Sequence, residues 1–333
     1  MTRPIRRILV AVKEVRGRRS PTLTKAATLA RALGARLELF HAISEPVAVE
    51  ALMFVNHTAD EYEADERRAY LKRLELLAAP LRRNGLEVST AVEWDFPAHE
   101  ALIRRARSTR ADLIIAERHA SRHVAPWLLR YTDWQLLRDS PVPVLLVKTA
   151  RPYKQPKVLA AIDPSHAFAK TSRLDDSILH LGARVCATTR GQLHVLHAYV
   201  PTLMGMSPGE LSVPDATANI TTHAATVARA QVDKALRSAR VGTLPATRRH
   251  LVARHPVDAI PELVRKLGCD IVVMGTLSRS GLKRLAIGNT AERLLDDLPC
   301  DLLIVKPPAF ATRVPARTRG PQLVALSPPL GTL

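Results

Sequence analysis

The chain repeats itself. "RILVAVKE" (Arg7–Glu14) resembles "KVLAAIDP" (Lys157–Pro164), and "LELFHAI" (Leu37–Ile43) resembles "LHVLHAY" (Leu193–Tyr199). "ADLIIAER" (Ala111–Arg118) resembles "CDIVVMGT" (Cys269–Thr276), and "VPVLLVK" (Val142–Lys148) resembles "CDLLIVK" (Cys300–Lys306). The four segments keep their order and recur at offsets of 150, 156, 158 and 158 residues. A near-constant offset over four segments means one domain of roughly 150 residues, present twice. A length of 333 residues holds two domains of that size.

Each copy alternates between two kinds of segment. Short runs rich in Val, Ile and Leu read as strands buried on both faces, and longer segments with apolar spacing near 3.6 read as helices. Tyr70, Leu74, Leu77, Ala78 and Leu81 share one helical face, as do Ile260, Leu263, Val264 and Leu267. Pro97 and Pro256 are expected at the first position of equivalent helices. A β-α-β-α order implies parallel strands joined by right-handed crossovers. The expected fold is therefore α/β, two tandem doubly wound five-stranded parallel sheets. The domains are expected at 1–149 and 157–307, joined by the linker "TARPYKQPK". The Pro-rich segment 308–333 has no periodicity and is expected to be disordered or draped on the surface; Arg313, Arg317 and Arg319 could touch acids, but a solvated tail is the expectation.

Forty-nine Lys+Arg against 31 Asp+Glu give a net charge of +18, which favours anionic partners: nucleotides, nucleic acids or acidic lipid. Arginine bias on solvated faces explains the same number equally well, because the basic residues are scattered. The aromatic fraction of 4% argues against a stacking platform for single strands. Cys186, Cys269 and Cys300 show no CxxC spacing, so neither a zinc site nor a disulfide framework is suggested. The basic start "MTRPIRRILVAVKEVRGRR" has too short an apolar run for a signal peptide, and no stretch approaches membrane-spanning length. A cytoplasmic location is expected.

Open parallel sheets bind ligands beyond the carboxyl ends of their strands, where strand order reverses. In the second copy that place holds Asp163, Ala198 with Tyr199, and Gly275. Gly288, Asn289 and Thr290 lie at an expected helix start, whose free N–H groups attract phosphate. Arg279, Lys283 and Arg284 lie in the intervening loop, and Asp163 is placed to take a ribose or magnesium. The structural alternative is plain: Asn289 with Glu292 is a capping-box-like start, Gly275 a turn residue, and the cations solvated. The first copy differs. Lys13-Glu14 stands where the second has Asp163-Pro164, and "ERHASRHVAPWLLRYTDWQLLRDSP" (Glu117–Pro141) stands where the second has Gly275 onward. It holds no glycine, and Trp127, Leu128, Leu129 and Trp134 are expected to seal that switch point or cover an interface; an apolar ligand there is a lesser expectation.

"VVMGT" followed by "GNTAE" (Gly288–Glu292), and "TDWQLLRDSPVPVLLVK" (Thr132–Lys148), resemble the universal stress protein family in its tandem bacterial form, over about residues 5–307. The resemblance implies strand order 3-2-1-4-5 in each sheet and a role in the stress response. ATP-binding members of that family carry Gly-x-x-Gly, nine residues, then Gly-Ser/Thr, with an Asp after the first strand. The matching positions here are Asp163, Gly275, Ser278, Gly288 and Asn289. Ser278 and Asn289 depart from the pattern, so the resemblance implies weak or absent ATP binding (with magnesium) in the second domain and none in the first. Single-domain members often dimerise through their last strands. "VPVLLVK" and "CDLLIVK" are expected to pair in that way within one chain, as an internal pseudo-dimer; a homodimer of whole chains is a further expectation.

The leading expectation is a cytosolic stress-response protein that acts by binding a nucleotide, an apolar small molecule or a partner protein. A slow ATP-hydrolysing enzyme is the alternative, though no nucleophile–base arrangement is apparent near Gly275. A basic nucleic-acid-binding protein is the third. His194, His197, His250 and His255 flank strands of the second copy but supply no metal-ligand spacing, so no metal is expected.

Overall fold

The computed structural model describes residues 4–13, 20–45, 47–48, 58–118, 126–165, 173–200, 214–275 and 297–324. The chain divides into two compact units, one made of Arg3–Ala150 together with Thr312–Leu333, the other of Arg151–Ala311.

The N-terminal unit carries strands β1 (Arg7–Ala11), β2 (Arg36–Ile43), β3 (Val47–Ala48), β4 (Val88–Trp94), β5 (Leu113–Glu117) and β6 (Val144–Val147). Its helices are α1 (Pro21–Leu33), α2 (Ala59–Arg83), α3 (Ala98–Ser108) and α4 (Pro126–Asp139). Five strands pair in parallel in the order β4-β2-β1-β5-β6. The C-terminal unit carries β7 (Lys157–Ile162), β8 (Gln192–Ala198), β9 (Arg249–Val252), β10 (Ile271–Gly275) and β11 (Asp301–Val305). Its helices are α5 (Leu174–Thr189), α6 (Pro214–Ala239) and α7 (Pro256–Leu267). Its strands also pair in parallel, in the order β9-β8-β7-β10-β11. Both sheets are thus doubly wound in the order 3-2-1-4-5. Strand order reverses between β1 and β5 in one unit and between β7 and β10 in the other.

Local chemistry explains the elements. Leu9, Val10, Ile114, Ile115, Val272 and Val273 are fully buried, as residues of a sheet covered on both faces must be. The Ser20 hydroxyl caps α1 by accepting the Thr22 N–H, Pro21 opens the helix, and Gly34 closes it in left-handed backbone at φ 62°. Thr58 and Glu61 form a reciprocal capping box on α2, whose Leu74, Leu77 and Ala78 face the core. Pro256 is the first residue of α7, but Pro97 lies one position before α3, as its N-cap. All three cysteines are buried and free, and burial pushes the thiols of Cys186 and Cys269 up to about 12.

The Pro-rich tail corrects the expectation of disorder as far as it is described. Val314 is buried, and its carbonyl accepts from Arg107 Nη1 at 3.0 Å. Arg319 is not left to solvent: its backbone N–H donates to Asp95 Oδ1 at 2.9 Å, and its guanidinium reaches both oxygens of Glu100 at 2.8 and 2.9 Å. Arg104 donates to Asp95 at 2.6 Å and to Glu100 at 2.9 Å. Then β12 (Leu323–Val324) pairs in parallel with β3. The physical reason is charge balance. Asp95 and Glu100 bring two negative charges to a buried place where Arg104 supplies one positive charge, and Arg319 supplies the second. Absence of periodicity reports that a segment builds no helix or sheet of its own; it says nothing about a surface elsewhere that needs it.

Candidate functional site

Register brings three of the expected residues in the C-terminal unit to one edge. Val273 pairs with Ala160, so two residues further on Gly275 stands beside Ile162, the residue before Asp163. Ile162 pairs with His197, so Ala198 stands beside Asp163. The Asp163 carboxylate accepts the Ser165 hydroxyl at 2.6 Å, and its backbone N–H donates to Asp175 Oδ1 at 3.1 Å. Asp175 lies in the first turn of α5. Burial pushes its carboxyl up to about 6; the Asp163 N–H pulls it back, and the charges of Asp163 and Asp176 push it up again. The crevice lip is acidic.

Gly275 is explained by packing. A Cβ there would lie 2.4 Å from Leu174 Cδ2 and 3.0 Å from Leu174 Cγ, because the first residue of α5 leans onto the strand end. Ser278, Gly288, Asn289 and Thr290, with Arg279, Lys283 and Arg284, lie outside the described residues. Among the described residues Asp163 offers an acceptor at the crevice lip, and Leu174 fills the space beside Gly275.

The same place in the N-terminal unit is closed by ion pairs. Lys13 leaves β1 and donates to the Glu117 carbonyl at 2.7 Å and to Asp133 at 3.3 Å. Burial lowers its ammonium pKa, and the charges of Asp133 and Glu117 oppose that shift. The Glu117 carboxylate, at the repeat position of Gly275, accepts the hydroxyls of Ser20 at 3.1 Å and Thr22 at 3.2 Å. A side-chain carboxylate thus sits at the start of α1, where a bound anion would be favoured. The expected seal was apolar. The side chains of Trp127, Leu128 and Leu129 lie outside the described part, and what the described residues show is a Lys13–Asp133–Glu117 network. Opposite charges at the two positions aligned with Asp163 and Gly275 are the signal that sequence reasoning left unused. A cavity of about 440 Å³ beside β5 and β6 is lined by Glu117, Arg118 and Lys148 as well as Pro21 and Val147. Its three charged residues suit a polar occupant better than an apolar one.

Four of the described histidines have structural partners. His41 Nδ1 lies 2.7 Å from the Val12 carbonyl, and its ring stacks on Tyr70. His194 Nδ1 lies 3.1 Å from His250 Nε2 across β8 and β9. Burial, then His250, Arg248 and Lys157, hold the His194 imidazole down at about 4. His255 caps α7. Among the described residues no group of three or more His, Cys, Asp or Glu could hold a metal ion, and no helix is long and apolar enough to cross a membrane.

Two doubly wound sheets of like order, one with an acidic switch-point lip and one with ion pairs at that place, define a tandem α/β protein. The family model for the universal stress protein family matches residues 4–148 and again 156–306, and the chain belongs to that family. It is 30% identical over 235 residues to universal stress protein E of Escherichia coli K12, covering 69% of this chain and 72% of that one. It is 24% identical over 302 residues to universal stress protein E of Photorhabdus laumondii, covering 89% and 93%. Among solved structures, a functionally unknown protein of Pseudomonas aeruginosa PAO1 superposes with a TM-score of 0.66 at 25% identity, covering 91% of this chain and 93% of that one.

Proposed function

We propose that the protein serves the stress response by binding, with the C-terminal unit as the binding half and the N-terminal unit as a closed, structural copy. The observation that carries this is the contrast at the switch point. Asp163 stands at the crevice lip with acceptor capacity beyond the Ser165 hydroxyl, whereas Lys13 is tied to the Glu117 carbonyl and the Glu117 carboxylate to Ser20 and Thr22. The ligand class it supports is a small molecule that offers hydrogen-bond donors to Asp163, such as the base or ribose of a nucleotide. The acidic neighbours and Leu174 make ATP a weak ligand here, and magnesium would be needed to bring its phosphates near Asp163 and Asp175.

Two measurements test the proposal. Mass spectrometry of small molecules released from natively purified protein should find a donor-rich ligand, and Asp163→Ala should empty the site. Titration with ATP and magnesium should show affinity no tighter than the millimolar range, abolished by a bulky residue at Gly288. Unchanged nucleotide affinity in both variants would place the ligand elsewhere.

A further inference from the structure

Helices in this chain end in two ways. Gly34 after α1 and Gly268 after α7 take left-handed backbone at φ 62° and 65°, which glycine adopts freely. Beyond α3, α5 and α6 the same conformation falls on Arg110 at φ 53°, Arg190 at φ 55° and Arg240 at φ 49°. Asn and Asp are the usual non-glycine occupants of that region, because their short side chains bond locally; arginine has no such device. Arg110 also stands where the repeat places Gly268, so folding does not require an arginine there. All three are exposed, and among the described residues no carboxylate pairs with them. A fourth left-handed arginine, Arg173, is different: it lies at the other end of α5 and pairs with Asp176.

In a β-α-β chain the helix C-termini and strand N-termini share one edge, opposite the crevice. At that edge of the N-terminal unit Arg110 joins Arg6, Arg7 and Arg36; Arg7 and Arg36 are register partners on β1 and β2. Arg6, Arg7 and Arg110 line a cavity of about 320 Å³ with Pro4 and Asp112. The Asp112 carboxylate accepts the backbone N–H groups of Arg6 and Arg7 at 2.8 and 3.0 Å, and Arg36 pairs with Glu87 at 2.8 Å. The corresponding edge of the C-terminal unit carries Lys157, Arg190 and Arg240. A cation at a helix C-terminus gains from the dipole, but glycine would gain more in backbone freedom, so arginine at all three ends asks for a partner.

We propose that the amino edge of each sheet contacts the phosphate backbone of duplex nucleic acid. Guanidinium groups match phosphate oxygens in pairs, and the net charge of +18 supplies the attraction. An aromatic fraction of 4% offers little on which single-stranded bases could stack, which favours the duplex. A bilayer is disfavoured because, among the described residues, the exposed large apolar side chains, Leu76, Phe96, Val200 and Val227, lie in helices or beyond the carboxyl ends of strands.

The test uses the full chain and a fluorescent mixed-sequence duplex of about 20 base pairs, titrated across a salt series. Wild type should bind at low salt and lose affinity linearly in log–log form, with each phosphate contact adding about 0.9 to the slope. The triple variant Arg110→Gly, Arg190→Gly, Arg240→Gly should melt no earlier than wild type, since glycine suits those positions. It should bind the duplex at least tenfold more weakly, with a slope shallower by up to about 2.7. Arg6→Gln with Arg36→Gln, which leaves the backbone positions alone, should weaken binding in the same direction. Asp163→Ala should leave duplex binding unchanged, separating this surface from the crevice. The proposal is overturned if wild type ignores the duplex at low salt, if both arginine variants bind like wild type, or if anionic vesicles are bound and the duplex is not.

Discussion

The two switch points were built from one plan and now do opposite things. In the N-terminal unit Lys13 bridges Glu117 and Asp133, and the Glu117 carboxylate takes the hydroxyl donors at the start of α1. In the C-terminal unit Asp163 and Gly275 stand at those positions, an acid faces the crevice, and Leu174 packs onto the glycine. Among the described residues, opposite charges on adjacent strand ends satisfy donors that an anion would otherwise satisfy, and the sheet keeps its shape.

That contrast can be broken most severely at Lys13. Lys13→Met leaves the buried Asp133 without its ammonium partner, and denaturant unfolding should show the N-terminal unit weakened by about 2–4 kcal/mol. An unmoved midpoint would mean that the network is incidental. Gly275→Ala tests the other side: the clash with Leu174 should cost about 1–3 kcal/mol in the C-terminal unit and leave the N-terminal unit unmoved.

Asp175→Asn sharpens the comparison through pH. The folded carboxyl, at about 6, holds a proton that the unfolded chain releases near 4. Its contribution therefore favours folding at low pH and is lost as pH rises through 6. The asparagine variant should be more stable than wild type at pH 7, by about 1–2 kcal/mol, and no more stable at pH 4. The opposite sign holds for His99 and His194, each held down at about 4, His99 by burial and His194 by burial with its cationic neighbours. Their contribution is complete above about pH 6.5 and fades as pH falls toward 4. Melting curves of wild type and the Asp175 variant from pH 4 to 8 would expose both trends. The smallest effect is expected from Arg319→Ala, about 1 kcal/mol, with faster proteolysis of the tail as its direct readout.

Most of the fold was legible because it rests on periodicity and repetition. Runs such as Leu113–Glu117 and Ile271–Gly275 announce strands covered on both faces, and the offset between copies announces the duplication. The candidate site was half legible. Asp163, Ala198 and Gly275 stand at neighbouring strand ends and Leu174 lies where a Cβ on Gly275 would be, while the rest of the expected loop lies outside the described residues. Glycine in a sequence reports that a side chain is missing, not what fills the space. The Arg104–Asp95–Glu100–Arg319 cluster was illegible, since its members lie up to 224 residues apart and charge balance acts through space.

By itself, then, the sequence determined two copies, parallel sheets and which copy carries an aspartate after its first strand, because those follow from local pattern and chain connectivity; strand order came from the family resemblance. Tertiary structure alone decided that Lys13 ties two strand ends together in one unit, that Leu174 occupies the room beside Gly275, and that residues 312–324 of the proline-rich tail pack on the first unit. Each of these depends on which charges and volumes meet once distant segments are brought together, and burial is what makes such meetings strong enough to matter.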